Sequence, residues 1–294
     1  TTLFSSDCAE CTDIAERAHT ELKKLIPSYV HRAKRNEYLV TQRLAMQKLA
    51  DELLKDVTPH AEKEPVALLE NSASEAEYRD YITAQMLYAF SRHSPSQLRT
   101  LMSAMDEKAK QKILATYIGG RKTRRDRPGR ALEFGYPLTF DIIMDYGSYR
   151  DIQRHRICTQ ERQRLSPYLG FWMPSEIIDA GFGEEVSRCR DASATLYEKL
   201  VHTLTEEAQY VTLFGHNIRF TMGMNDREAM HLLELRSTPQ GHQTYRDLCK
   251  QMHLKIRERS PWRAEMMKFV DHNDYFWARA ASEARQRGKE RQLD

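Results

Sequence analysis

The sequence predicts a helix-rich chain of mixed α/β (α+β) class. Gly- and Pro-poor stretches with apolar residues at helical spacing run from Glu75 to Arg92, Ser96 to Tyr117, Glu184 to Gln209 and Gln243 to Arg257. One run, Phe134 to Tyr146, has the aromatic and β-branched content of a strand. A further run, Tyr210 to Met224, is open between strand and helix. The 294 residues, 40% hydrophobic and 30% charged, suit one large or two modest domains with a sizeable core.

In chain order, Asp7 to Val57 reads as a helical pair interrupted by Pro27, with Tyr38, Leu39, Leu44, Leu49 and Leu53 as its apolar positions. Cys8 and Cys11 form a CxxC that reads as two helical cysteines rather than half a zinc site. Thr58 to Ser74, with two prolines, is the best internal linker. The expected organisation is therefore a helical extension or linker over 1–74 and the main domain over 75–294. Ser94-Pro95-Ser96 separates two helices. Gly119 to Glu133 is a basic loop around Gly and Pro, which solvates itself more often than it binds phosphate. After the strand ended by Gly147, the cluster from Ser148 to Arg164 reads as helix, closed by Ser166-Pro167. Pro261-Trp262 starts a short helix, and Ala278 to Asp294 is a charged helix or tail.

The stretch Asn225 to Arg236, NDREAMHLLELR, organises the rest. Ala229, Leu232, Leu233 and Arg236 fall on one helical stripe, and Arg227, His231 and Glu234 on a polar one, with Asn225 as N-cap. An arginine in line with leucines has to snorkel, meet a carboxylate or hold an anionic ligand. Pro239 and Gly241 stop the helix at or just after Arg236. Arg150, Arg154, His155, Arg156, Arg162 and Arg164 make a second cationic cluster, and two such clusters ask for a common anion.

Composition sets limits on partners and compartment. Net charge is only +3, and the basic loop lacks aromatic interleaving, so both count against nucleic acid. There is no apolar run of membrane-spanning length and no charged-then-apolar leader, and the five cysteines are odd in number, as in a reduced, cytoplasmic protein. The opening Thr suggests a processed or excised part of something longer.

At Arg154-His155-Arg156 the chain resembles the flavin-dependent thymidylate synthases, whose signature begins Arg-His-Arg. In the span RHRICTQERQRLSPY, Thr159 stands for a serine and Gln160-Glu161 for Asn-Glu, given one deletion. Gln163 stands where the family has a second serine and Leu165 where it has arginine, with Arg164 as its substitute. Asn225, Arg227, His231 and Arg236 match a second family pattern, and Ser260-Pro261-Trp262 resembles its Cys-Pro-Trp. Glu206 to Gln209 aligns with a segment whose arginine binds substrate, here Gln209. A family histidine is replaced at Glu133-Phe134.

The resemblance implies helices around a small central sheet, assembled as a homotetramer or as a dimer of two-domain chains, with sites between subunits. It implies methylation of dUMP to dTMP with FAD as cofactor, methylenetetrahydrofolate as carbon donor and NADPH as reductant. Arg154, His155, Arg156, Asn225, Arg227 and His231 would hold the flavin. Glu161, Gln163, Arg164, Gln209 and Arg236 would hold the nucleotide, with Arg236 also catalytic through charge stabilisation on the ring. No metal is implied. Each residue has an ordinary alternative: His155 and His231 as satisfied core histidines, Tyr168 and Trp172 as packing, and one of Arg154 and Arg156 as a surface charge, since they point to different sides of a helix. The losses at Gln209, Leu165 and Phe134 favour a second reading, a degenerate half that serves an active one.

Overall fold

A computed structural model describes residues 3–37, 40–41, 44–45, 47, 64–69, 74–88, 90, 93–126, 128–135 and 137–275. Of the apolar positions expected early in the chain, 38, 39, 49 and 53 lie outside these, as does the tail from 278; Leu44 is exposed. Contacts divide the described residues into two compact units, one from within 1–63 and 191–212, the other from within 64–190 and 213 onward.

The first unit opens with α1 (Ala9–Leu25) and α2 (Pro27–Val30). Pro27 sits at the first position of α2, where its missing N–H costs nothing, so it restarts the helix rather than kinking it. Cys8 is not helical: it is the N-cap of α1, with Cys11 in the first turn.

The second unit is built on a four-stranded antiparallel sheet of β1 (Val66–Leu68), β2 (Leu138–Asp145), β3 (Thr159–Arg162) and β4 (Asn217–Met224), in the order β1-β2-β4-β3. Strands β2 and β4 carry the core. Leu138, Phe140, Ile142 and Met144 alternate inward along one, Ile218, Phe220, Met222 and Met224 along the other, with Phe140 opposite Met222 and Ile142 opposite Phe220. The stretch Tyr210 to Met224 thus resolves into the end of a 3₁₀ turn and strand β4.

Around the sheet run α3 (Glu75–Tyr88), α4 (Pro95–Ala104), α5 (Glu107–Ile118), α6 (Tyr146–Ile152), α7 (Ser175–Asp179), the start of α8 (Gly183–Leu200), α9 (Asp226–Arg236), α10 (Gln243–Arg259) and α11 (Pro261–Met266). Ala229, Met230, Leu232 and Leu233 of α9 join Leu248, Cys249, Met252 and Ile256 of α10 in the main core. A Cβ at Gly241 would come within 2.6 Å of the Tyr245 ring and 3.1 Å of the Arg236 carbonyl, so only glycine lets the chain turn this tightly between α9 and α10. The expected helix-rich fold with a small sheet is borne out. No helix among the described residues is long and apolar enough to cross a membrane.

Three expectations need correction. Ser96 to Tyr117 is two helices, because Asp106 caps α5 by accepting from the Ala109 amide at 2.7 Å. The linker of 58–74 contains β1, an edge strand paired to β2 from Val66 to Leu68, and residues 58–63 lie outside the description. The span 148–164 is not a helix. Helix α6 stops at Ile152, Arg154-His155-Arg156 forms a turn, and Thr159 to Arg162 is an edge strand.

Candidate functional site

Helix α9 starts the way its sequence dictates: the Asn225 side chain accepts from the Glu228 amide at 2.9 Å, satisfying one of the four free N–H groups of the first turn. The other end of the same side chain donates to the Glu133 carbonyl at 3.1 Å, which ties the cap to the segment before β2. A second anchor lies behind it. Asp226, fully buried, accepts from the Tyr78 hydroxyl at 2.9 Å and lies 3.3 Å from Arg263 Nε; Arg263 also donates to Glu75 at 2.9 Å. Burial pushes the Asp226 carboxyl up, and the Arg263 charge opposes that shift. Ser260, of the Ser-Pro-Trp motif, donates to the same Glu75, so this motif holds the start of α9 in place.

Asn225, Arg227 and His231 line one cleft of about 530 Å³ with Arg121, Arg124, Arg130, Glu133 and Ile157. Arg227 does not present a free fork to it. Its Nη1 pairs with the Glu133 carboxylate and its Nε donates to the Pro128 carbonyl at 3.1 Å. Arg130 reaches the same carboxylate at 3.1 Å. Burial pushes the Glu133 carboxyl up, yet the hydrogen bonds from Arg130 and Arg227 outweigh it and hold the group below its ordinary value. A group lowered in this way stabilises the fold above its ordinary value of 4.5, and the contribution is lost as pH falls through the lower folded value. Glu133→Gln is therefore expected to lower the urea midpoint by more at pH 7 than at pH 3. An equal deficit at both pH values would refute the pairing.

The two sequence clusters meet at one buried chain of polar groups. His155 is buried, its Nδ1 2.9 Å from Glu228 Oε1 and its Nε2 accepting from Arg236 Nε at 3.0 Å. Because the guanidinium only donates, Nε2 carries the lone pair and Nδ1–H donates to Glu228, which fixes the neutral tautomer. Arg236 is further held by the Asp151 carbonyl at 2.9 Å and lies over the Tyr245 ring at 5.4 Å. Among the described residues, only its Nη1 is left for a ligand. So His155 is a satisfied buried histidine, and Arg236, in line with the leucines, is resolved by an imidazole rather than by a carboxylate.

The other expected residues are placed differently. Arg154 and Arg156 are exposed on the turn and do not line the cleft, so the argument that they point to opposite sides of a helix falls away. Glu161, Gln163 and Arg164 are exposed on or just beyond β3, and the Gln163 amide donates to the Arg219 carbonyl at 3.0 Å. Gln209 belongs to the first unit, where its amide donates to Glu206 Oε2 at 3.0 Å. Trp172 packs edge-on to His242 at 5.2 Å, and Tyr168 is exposed.

Sequence reasoning missed the carboxylates. Glu234, read as part of a polar face, is buried with Arg121 of the basic loop in a two-pronged ion pair of 2.8 and 2.6 Å. Arg121 also donates to the Met266 carbonyl at 3.0 Å. The burial of Glu228 and Glu234 follows from long-range partners, and no local pattern in the sequence of α9 signals it.

The cleft at the capped start of α9, lined by arginines and carboxylates, is joined through Glu228 to His155 and Arg236. The sequence profile described as thymidylate synthase complementing protein matches residues 67–262. The chain belongs to this family. The resemblance read at Arg154-His155-Arg156 and at Asn225 to Arg236 is borne out at that level. A UPF0159 protein of Chlamydia muridarum (strain MoPn / Nigg) is 32% identical over 97% of this chain and 54% of its own length. A UPF0159 protein of Chlamydia pneumoniae is 31% identical over 96% of this chain and 54% of its own. The chain thus spans about half the length of the curated relatives it matches. A crystal structure of a UMP/dUMP methylase, PolB, from Streptomyces cacaoi bound with 5-Br dUMP shares the fold with a TM-score of 0.53 at 16% identity, covering 69% of this chain and 93% of that one.

Proposed function

We propose that the chain is a thymidylate synthase-like methyltransferase that converts dUMP to dTMP, with FAD bound, methylenetetrahydrofolate as carbon donor and NADPH as reductant. The observation that carries this reading is the cleft at the start of α9, where Asn225, Arg227 and His231 stand beside Arg124 and Arg130. Its volume, about 530 Å³, falls within the ~300–1,000 Å³ of cofactor sites. The residues fit the phosphate-bearing part of FAD. Arg124 is exposed and makes no ion pair among the described residues, and Arg130 is exposed at the rim. Guanidinium forks beside a helix N-terminus suit a pyrophosphate.

In this reading FAD, once reduced, supplies the hydride, and the protein supplies orientation and charge. Arg124 and Arg130 would hold the phosphates, with Arg227 kept at the cleft wall by Glu133, and the Glu228–His155 pair fixes the angle of Arg236. The Nη1 of Arg236 would meet the negative charge that develops on the pyrimidine. Arg154, Arg156 and Arg162, exposed beside the open edge of β3, support assembly into a homo-oligomer in which they reach a neighbouring copy. We place the protein in the cytoplasm.

The test is the visible spectrum of the purified chain. A flavin band with near-stoichiometric FAD released on denaturation is expected, and Arg124→Ala with Arg130→Ala is expected to weaken FAD binding about tenfold to a hundredfold, one to two charge-assisted contacts. A colourless protein that takes up no added FAD would sink the cofactor claim. A second reading, a catalytically degenerate half that binds flavin or props up an active half, is favoured by the engagement of Arg227 with Glu133 and of Gln209 with Glu206. A chain that binds FAD and oligomerises but forms no dTMP would decide for it.

A further inference from the structure

The CxxC of Cys8-Ala9-Glu10-Cys11 lies in the first unit and plays no part in the site above. Cys8 is the N-cap of the 17-residue helix α1 and Cys11 sits in its first turn, so the two side chains share the face on which an N-cap reaches back to the third helical residue. The Cys8 backbone is fixed on both sides: its amide donates to Ser6 Oγ at 3.1 Å and its carbonyl accepts from the Thr12 amide at 3.3 Å. Its sulfur lies 3.3 Å from the hydroxyl of Tyr210, 202 residues away in the chain and in the same unit. Cys8 is buried, whereas Cys11 is half-buried and open to solvent.

The electrostatics agree with this geometry. The Tyr210 hydrogen bond, followed by the Cys11 backbone amide, holds the Cys8 thiol below its ordinary value, while the same Cys8 contact pushes the Tyr210 phenol up. With the phenol donating, the sulfur accepts and the thiolate is the favoured form. Glu10, also beside the phenol, adds to the rise on Tyr210. The positive end of α1 favours a thiolate at its N-cap as well. The cysteines buried elsewhere behave in the opposite way: burial pushes Cys158 up to about 12 and raises Cys249. Among the described residues no group of three or more His, Cys, Asp or Glu could hold a metal ion.

We propose that Cys8 and Cys11 form a thiol–disulfide exchange site whose substrate is a low-molecular-weight disulfide of the glutathione disulfide class. The accessible Cys11 sulfur, deprotonated, attacks one sulfur of the incoming disulfide; that S–S bond breaks, and the first thiol leaves with a proton. The Cys8 thiolate then attacks the Cys11 sulfur of the mixed disulfide and releases the second thiol. Two cysteine thiols give up two electrons and two protons, and the incoming disulfide takes them up as two thiols.

The chain is equilibrated in glutathione buffers of increasing disulfide fraction, quenched with iodoacetamide and mapped by peptide mass. In the parent, the peptide carrying both cysteines is expected to lose two hydrogens and resist alkylation, while Cys158 and Cys249 are alkylated only after unfolding. Cys8→Ser should stop at a glutathione adduct on Cys11. Tyr210→Phe, which keeps the packing and removes the donor, should slow closure about threefold to tenfold by lowering the thiolate fraction at Cys8. A parent in which the Cys11 adduct persists as it does in Cys8→Ser, or in which both cysteines stay alkylatable while only the exposed Cys189 is modified, would overturn the proposal.

Discussion

Glu234→Ala is expected to destabilise the sheet-bearing unit by about 3–5 kcal/mol, because it strands a buried guanidinium. The side chains of Arg121 and Glu234 are 4% and 1% exposed, so the guanidinium left behind is poorly solvated. What remains around Arg121 is the Met266 carbonyl at 3.0 Å, the Asp126 carbonyl at 2.7 Å and the Phe269 ring at 5.1 Å, with the exposed Asp126 carboxylate as a more distant countercharge. The expectation concerns the cost of breaking the pair, not its net worth. Replacing both residues by methionine removes both desolvation costs together and is expected to recover most of the loss, ending within about 1–2 kcal/mol of the parent. Urea denaturation of the parent, of Glu234→Ala and of the double variant Arg121→Met with Glu234→Met measures this. A double variant no more stable than Glu234→Ala would mean that the loop from Gly119 depends on the ion pair for its conformation and not only for charge balance.

This pair also marks where reading the sequence stops. Helix α9 was legible to the residue, because its cap, its stripe and its breaker are all local: Asn225 before the first turn, leucines at i+3 and i+4, Gly241 after the end. Strand β2 was legible in part: aromatic and β-branched content marked Phe134 to Tyr146, and the strand itself is Leu138–Asp145. Strand β3 was not. It lies at the edge of the sheet with Thr159, Glu161 and Arg162 exposed, so it has neither alternation nor β-branched weight, and the arginines around it suggested a charged helix instead. Strand β1 is three residues long and is defined only by its pairing to β2. At the site, the cationic residues were found from their spacing, but their partners are distant in sequence. Arg121 meets Glu234 across 113 positions, His155 meets Glu228 across 73 and Arg227 meets Glu133 across 94. Periodicity within a helix reports which face is buried. It does not report which partner waits there, so Arg227 and Arg236 looked like parts of an open anion site although Glu133 and His155 already engage them.

Arg236→Lys is expected to lower the rate of dTMP formation by about a hundredfold to a thousandfold, the usual effect of removing one preorganised donor from a developing negative charge. The reasoning starts from geometry. Arg236 spends Nε on His155 and Nη2 on the Asp151 carbonyl, two directions fixed by the planar fork, and this leaves Nη1 aimed by the other two. A lysine has one ammonium on a flexible stem. It can keep the charge, but it cannot hold the imidazole, the carbonyl and the ligand at once. Two lost internal hydrogen bonds should cost about 1–3 kcal/mol of stability, which leaves a folded protein to assay. FAD occupancy should be unchanged, because Asn225, Arg227 and Arg124 lie on the cleft and Arg236 does not. The measurement is tritium release from dUMP labelled at C5, with the flavin content of each sample read from the same preparation. Loss of turnover at constant flavin places Arg236 at the reacting ring. Loss of flavin and turnover together would make it a structural prop for α9 through His155. A Lys variant within about tenfold of an active parent would show that charge alone suffices and that the His155–Glu228 chain does not aim the guanidinium for catalysis.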